Sequence, residues 1–290
     1  MRIGVVILPQ FSHREAAARW KHVEDMGFAH GWTYDHLAWR TLADEPWHAT
    51  VPFLANAALA TTTLRLGTFV TSPNFRHPVT LAKDLMTLDD LSDGRIIAGI
   101  GAGGTGWDSA VFGEDELTGK QRVDRLEEFL TLTDTLLTQD STTWRGEHYT
   151  AVDARMIPGC VQRPRLPIAV AANGPRMMRI AAGYDGWITT GFGAPGDTVD
   201  QYWEGLAGLT RKFDSIVGDA PVARYMSLDS APVFSLSSVD CFTDAVGRAA
   251  ALGFTDAIIH WPRPSGEYAG REEVLEQVGG LIRADGTVAV

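Results

Sequence analysis

Apolar and amphipathic segments alternate along the whole chain. Eight short stretches are almost continuously apolar, which is typical of buried parallel strands. Between them, apolar residues recur every three or four positions, which is typical of helices with one buried face. The predicted strands comprise residues 2–8, 28–34, 64–70, 95–100, 166–171, 186–190, 222–228 and 255–261.

Helices are predicted in most of the intervals between these strands and after the last one. Their ends carry typical signals, such as Pro78 at a first helical position and Gly27 and Gly253 after a last one. The predicted helices comprise residues 12–26, 48–61, 78–91, 119–137, 175–184, 199–217 and 238–252, with a further helix beginning near Arg271.

Eight strands that alternate with helices predict a (β/α)8 TIM barrel. A barrel of this kind takes about 250 residues, so we expect residues 1–290 to form a single domain. Residues 142–164 interrupt the alternation between strands four and five. They predict an inserted hairpin with its turn at residues 145–148.

The best-defined unit is the segment 64–104. A strand leads into a polar loop, a helix begins at Pro78, and Asp93-Gly94 ends it before the next strand. That strand runs into the glycine-rich stretch 99–104, where few side chains separate the backbone from whatever lies above it. We expect a βαβ unit whose two strand ends open on one face.

Composition narrows the classes of function. The net charge of -11 disfavours a nucleic-acid or anionic-membrane partner, unless a local basic patch overrides it. Cys160 and Cys241 are far apart and form no CxxC, so neither a disulfide framework nor a zinc knuckle is predicted. The opening apolar run is too short for a signal peptide, and no stretch is long enough to span a membrane. A cytoplasmic enzyme with a small-molecule substrate fits best.

In a TIM barrel the active site lies at the carboxyl ends of the strands. Asp35 and His36 follow strand two, and an imidazole can exchange protons at neutral pH. A histidine at this position also commonly does no more than hydrogen-bond a neighbouring loop. Both interpretations stay open at this point.

Residues 171–175, AANGP, join strand five to a helix. Free amide groups at a helix N-terminus suit a phosphate, and small residues allow it to approach. The alternative is an ordinary helix start that Asn173 caps. Aromatic residues near other strand ends would together suit a flat ring system, although each alone is better explained by packing. These are Trp39, Phe75, Trp107, Phe192 and Trp261.

Two other barrel chemistries fit poorly. A metal-dependent hydrolase needs several converging His and carboxylate ligands, and the chain has no HxH or HExxH. A glycosidase needs a pair of carboxylates facing one bond, and beyond the first strands only Asp229 is a clear candidate.

Five segments occur in order at the predicted strand ends: YDHL, LGTFVTSPNFRHP, LSDGRIIAGIGAGG, IAVAANGPRMMRIAAGYDGWITTG and ALGFTDAIIHWPRP. In order and spacing they resemble the bacterial luciferase-like family of flavin- and deazaflavin-dependent oxidoreductases. The resemblance covers nearly the whole chain. It implies a barrel that binds a flavin or deazaflavin ring over the ends of strands two to four, with its phosphate at the helix after strand five.

The resemblance also implies roles for particular residues. His36 would exchange the proton that accompanies a hydride, and Asp35 would orient or polarise it. A cis peptide that is not prolyl would join Phe69 and Val70 and back the ring. The cofactor-binding residues would be Phe69, Val70, Ser72, Gly101, Ala102, Gly103, Ala172, Asn173, Gly174, Thr190 and Gly191. No metal is implied.

The Asp-His pair resembles that of members using coenzyme F420, a deazaflavin, more than that of FMN-dependent members. We therefore expect hydride transfer between F420 and a small organic substrate. The alternatives are an FMN-dependent monooxygenase with a separate reductase, a metal-dependent hydrolase and a non-catalytic flavin-binding relative. Relatives are often homodimers. Sugar-phosphate dehydrogenases of the family carry a Glu where this chain has Gly104, which puts a sugar-phosphate substrate in doubt.

Overall fold

A computed structural model describes residues 1–191, 193 and 196–289. Phe192, one of the aromatic candidates, lies outside the described residues. Eight parallel strands close a barrel in the order β1-β10-β9-β8-β7-β4-β3-β2, and β5 and β6 form a separate sheet. The strands are β1 Arg2–Val6, β2 His30–Thr33, β3 Arg65–Thr68, β4 Ile96–Ile100, β5 Ser141–Arg145, β6 Thr150–Arg155, β7 Ile168–Ala171, β8 Gly186–Thr189, β9 Ala223–Ser227 and β10 Asp256–His260.

The TIM barrel prediction is thereby confirmed, and each end of each barrel strand lies within two residues of its predicted position. The helices also occur where they were predicted, apart from one additional short helix, α4. They are α1 His13–Asp25, α2 Thr50–Ala60, α3 Pro78–Leu91, α4 Trp107–Ala110, α5 Gly119–Thr138, α6 Pro175–Ala181, α7 Val199–Val217, α8 Val239–Ala251 and α9 Glu272–Gly279. Among the described residues, every helix is too short or too polar to cross a lipid bilayer.

Strands β5 and β6 pair antiparallel between α5 and β7. Helix α5 holds their turn through Glu128. Its carboxylate accepts hydrogen bonds from Trp144 Nε1 and from the backbone N–H groups of Glu147, His148 and Tyr149, at 2.8 to 3.0 Å. A carboxylate has the lone pairs for four such donors, so one side chain accepts the hydrogen bonds of most backbone N–H groups in the turn.

The chain comprises two compact units. The first unit contains residues 1–8, 20–32 and 169–290, and the second contains residues 9–19 and 33–168. Each has its own set of buried apolar side chains. In the first unit the largest are Trp20, Trp32, Trp187, Tyr202, Phe213 and Phe242. The prediction that the chain forms a single domain stays a prediction.

A buried polar network joins the beginnings of β1, β2 and β10 in the first unit. Asp256, with 1% of its side chain exposed, accepts two hydrogen bonds of 2.7 Å from Arg2 and one of 3.0 Å from His30 Nε2. His30 Nδ1 accepts in turn from Trp32 Nε1. Polar groups at this depth are stable only when they are paired, and at the amino ends of barrel strands such pairing serves stability.

Candidate active site

Asp35 lies two residues after the end of β2, and its carboxylate is almost completely buried. It accepts a hydrogen bond of 2.7 Å from Thr71 Oγ1 and two from Arg76, at 3.1 Å from Nε and 2.6 Å from Nη2. Burial lowers the pKa of Arg76, but the hydrogen bonds and charge of Asp35 outweigh this and raise the pKa above its ordinary value. Asp35 therefore ties the segment after β2 to the segment after β3.

His36 does not contact the carboxylate of its neighbour in sequence. Its Nδ1 lies 2.5 Å from Oδ2 of Asp108, in α4, and Oδ1 of Asp108 accepts a hydrogen bond of 2.8 Å from Leu37 N. The backbone carbonyl of His36 accepts from Trp47 Nε1 at 2.8 Å. The orienting contact that the resemblance implied for Asp35 is thus made by Asp108.

A cleft of about 260 Å³ opens in the second unit beside this pair. His36 and Asp108 line it together with two aromatic side chains, Trp39 and Trp107. The side chain of His36 is 26% exposed, and its Nε2 has no hydrogen-bond partner among the described residues. An unpartnered ring nitrogen in a cleft is placed to exchange a proton with a bound molecule.

The segment just after β3 holds a second polar group without a partner among the described residues. A non-prolyl cis peptide bond joins Phe69 and Val70, at the position that the resemblance implied. Two residues further on, Ser72 is 2% exposed, and its Oγ makes no hydrogen bond with the described residues. A buried hydroxyl of this kind normally has a partner, and a polar edge of a bound molecule would supply one.

The glycine-rich loop after β4 lies beside the end of β3. Thr71 N donates to Gly99 O and Gly101 N donates to Thr71 O, both at 2.8 Å. Gly103 has φ +75°, and a Cβ there would lie 2.7 Å from the side chain of Asn74. A side chain at position 103 would therefore clash, and only glycine suits this conformation.

The first unit holds the other group of predicted cofactor residues, around the start of α6. Gly174 is the N-cap residue of α6, so the helix start has no capping hydrogen bond from an N-cap side chain. The interpretation that Asn173 caps this helix is therefore wrong. Asn173 instead accepts from Thr189 Oγ1 at 2.6 Å and donates to Gly191 O at 3.1 Å, which ties the segment after β7 to the end of β8.

The start of α6 is also sterically open. A Cβ built on Gly174 would meet no atom within 4 Å, and Ala172 before it is small. The first amide groups of a helix attract anions when no side chain caps them. Thr190 is exposed next to Gly191, at the neighbouring strand end.

The predicted aromatic slot is found only in part. Trp39 and Trp107 line the cleft, whereas Phe75 packs under the guanidinium of Arg76 and Trp261 donates to Glu272. The sequence did not predict that Thr71 and Arg76 would bind Asp35, or that Asp108 would bind His36. The position of Asp108 shortly after the glycine-rich loop was the one available signal. Among the described residues, no group of three or more His, Cys, Asp or Glu is placed to hold a metal ion.

Comparison with known proteins identifies the family. Residues 1–225 match the sequence model of the luciferase-like monooxygenase family. The chain belongs to this family. The F420-dependent glucose-6-phosphate dehydrogenase of Intrasporangium calvum is 34% identical over 241 residues, which cover 79% of this chain and 70% of that protein. The enzyme of the same name from Amycolatopsis mediterranei is 34% identical over 188 residues.

The second match covers 62% of this luciferase-like chain but only 54% of the Amycolatopsis protein, so it spans about half of that relative. A solved structure with a similar fold is an F420-dependent secondary alcohol dehydrogenase in complex with an F420-acetone adduct. Its TM-score is 0.76 with 18% sequence identity, and the match covers 98% of each chain. At this identity the likeness shows the fold.

Proposed function

We propose that this luciferase-like protein is an oxidoreductase that transfers a hydride between coenzyme F420 and a small organic substrate. The observation that carries the proposal is the state of His36, which lines a cleft. Its Nδ1 is bound by Asp108, and its Nε2 has no hydrogen-bond partner in the described part of the chain. The two relatives at 34% identity support the cofactor class, since both are F420-dependent enzymes. FMN is the alternative cofactor within the family.

The residues at the end of β3 fit a flavin-like ring. The hydroxyl of Ser72 is buried and has no partner within the residues that the structure describes, so it can hydrogen-bond a polar edge of the ring. Phe69 and Val70 would lie behind the ring, and Gly101, Ala102 and Gly103 would leave room for it because they carry little or no side chain.

The residues at the start of α6 fit a phosphate. Ala172, Asn173 and Gly174 leave the first turn uncapped and open, and Thr190 and Gly191 lie at the neighbouring strand end. We assign these five residues to the phosphate-bearing part of the cofactor, on the resemblance and on this local geometry.

F420 supplies hydride transfer, the movement of two electrons with one proton, and requires no activated oxygen. The second proton of a dehydrogenation must go to the protein or to water. His36 Nε2 would accept it from the substrate, or donate it in the reverse direction. Asp35 would act indirectly, because its oxygens hold Thr71 and Arg76 and so fix the segment that bears Ser72.

We do not assign a sugar phosphate as the substrate. Gly104 is exposed and lines the cleft without a side chain, so the acid that sugar-phosphate dehydrogenases of the family carry there is missing. Self-association as a homodimer stays a prediction, which size-exclusion chromatography with light scattering can test.

The decisive experiment is to titrate the purified protein separately with F420 and FMN and to follow quenching of the ligand fluorescence. We expect F420 to bind and FMN to bind at least about tenfold more weakly, a difference of about 1.4 kcal/mol. A Ser72→Ala variant should weaken F420 binding, because it removes the buried hydroxyl. Tight binding of FMN without binding of F420 would overturn this proposal and favour an FMN-dependent monooxygenase.

A further inference from the structure

We infer that Asp108 is a positioning residue that fixes the tautomer of His36 and so makes Nε2 the basic nitrogen of the ring. The inference rests on the proposed function, because it concerns the proton that accompanies the hydride. It assigns to Asp108 a role that the sequence suggested for Asp35.

The contacts of Asp108 determine which ring nitrogen bears the proton. An ionised carboxylate only accepts hydrogen bonds. Oδ2 lies 2.5 Å from His36 Nδ1, so Nδ1 must be the donor, and the neutral ring then carries its lone pair on Nε2. Oδ1 is held separately by Leu37 N, which keeps the carboxylate from rotating away. With only 7% of its side chain exposed, Asp108 makes these contacts largely shielded from water.

No other described acid can take this role. The carboxylate of Asp35 is the nearest in sequence, but both of its oxygens are occupied by Thr71 and Arg76. The imidazole has no hydrogen-bond partner other than Asp108 among the described residues, and the ring of Tyr34 meets it edge-on at 5.9 Å. The orientation of the ring therefore depends on Asp108.

The consequence for a dehydrogenation can be written as a balanced step. Bound F420 in its oxidised form would supply the acceptor for a hydride, with both electrons, when the C–H bond of a substrate alcohol breaks. The O–H bond would break as the C=O bond forms, and its proton would go to His36 Nε2. The imidazolium formed in this way lies against the carboxylate of Asp108, which stabilises its charge without taking up the proton, as in other carboxylate-histidine pairs.

A purely structural role for Asp108 is the competing explanation, since its bond to Leu37 N also tethers α4 to the segment after β2. The variant Asp108→Asn distinguishes this structural role from the positioning of His36. An asparagine oxygen can still accept from Leu37 N, but its NH₂ group then faces Nδ1. Nδ1 must become the acceptor, which moves the ring proton to Nε2.

The test uses ¹⁵N-histidine-labelled, cofactor-free protein, in which long-range ¹H–¹⁵N spectra report the tautomer of His36. His36→Ala identifies its signals. We expect the Nδ1–H tautomer in the wild type and the Nε2–H tautomer in Asp108→Asn. Asp153→Asn, the same change at an exposed aspartate of the hairpin, should leave the signals of His36 unchanged.

The second measurement is turnover with F420 and the alcohol that gives the highest wild-type rate in a screen. Asp108→Asn should lower kcat by about 10²- to 10⁴-fold, as expected when a histidine base is held in the wrong tautomer, with F420 affinity within about threefold of the wild type. Asp108→Glu, which keeps a carboxylate, should retain the Nδ1–H tautomer and provides the comparison if the Asn variant does not fold.

An Nδ1–H tautomer in Asp108→Asn, or an Nε2–H tautomer in the wild type or in Asp108→Glu, would overturn the inference. So would a kcat of Asp108→Asn within threefold of the wild type. If the wild type bound no F420, the proposed function would fail, yet the spectra of the cofactor-free protein would still decide the role of Asp108.

Discussion

Asp256→Asn tests whether the buried network at the beginnings of β1, β2 and β10 stabilises the fold. Each oxygen of Asp256 has two donors. Oδ1 receives Arg2 Nε at 2.7 Å and His30 Nε2 at 3.0 Å, and Oδ2 receives Arg2 Nη2 at 2.7 Å and Thr255 Oγ1 at 2.6 Å. Asparagine would present an NH₂ group to one of these donor pairs and would remove the charge opposite Arg2.

The expected cost follows from these contacts. A hydrogen bond to a charged group contributes about 1.5–3 kcal/mol, and breaking a buried ion pair costs about 3–5 kcal/mol. The side chain of Arg2 is 46% exposed, so water can solvate it once the pair is lost. We therefore expect a loss of about 3 kcal/mol in the free energy of unfolding, at the lower end of that range.

The pH dependence has a defined sign. Burial alone would raise the pKa of Asp256, but hydrogen bonds from His30 and Arg2 outweigh it and hold the pKa well below its usual range. The stabilisation is therefore complete above the carboxyl pKa in the unfolded chain, about 3.9, and is lost as the pH falls toward the folded pKa. The difference between wild type and Asp256→Asn should therefore shrink as the pH falls below about pH 4.

Urea unfolding followed by tryptophan fluorescence measures this difference. Asp219→Asn, at an exposed aspartate of the same unit, is the matched control and should change stability by less than about 0.5 kcal/mol. A loss below 1 kcal/mol at pH 7 for Asp256→Asn, or a difference that grows in acid, would refute the reasoning.

Three further outcomes are expected. His36→Ala should slow turnover with F420 by about 10²-fold or more while leaving F420 affinity, measured by fluorescence quenching, nearly unchanged; unchanged turnover would remove His36 from the chemistry. Glu128→Gln should lower the free energy of unfolding by about 1–2 kcal/mol, because one amide oxygen cannot accept all four hydrogen bonds at the hairpin turn. Urea unfolding measures this loss, with Glu204→Gln as the control variant. Gly4→Ala should prevent folding or cost several kcal/mol, since its Cβ would lie 1.8 Å from His30 Nδ1; circular dichroism of the variant would show native folding if this is wrong.

The fold could be predicted from the sequence because each of its signals is local. An apolar run such as that of β4 identifies a strand without its neighbours, and Pro78 and Gly27 mark helix ends by their own backbone preferences. The predicted ends were a few residues too long because apolar residues such as Val70 and Leu228 continue beyond the hydrogen-bonded strands.

The site could be predicted only as far as strand ends determine it. The sequence was enough to place His36 just after β2, and the resemblance implied the cis peptide that joins Phe69 and Val70. The partner of His36 could not be found in this way. Asp108 is 72 residues away along the chain, and its contact depends on where α4 lies, whereas Asp35 is adjacent in sequence but turns toward Arg76.

Thr71 joins three segments of the second unit. Its backbone pairs with Gly99 and Gly101, and its hydroxyl donates to Asp35, so the segments after β2, β3 and β4 all meet at one residue. Anyone who wishes to change the specificity of this protein by exchanging loops with a relative must therefore move these three segments together. A loop that is transplanted alone would lack the other two segments, whose hydrogen bonds with Thr71 fix its position.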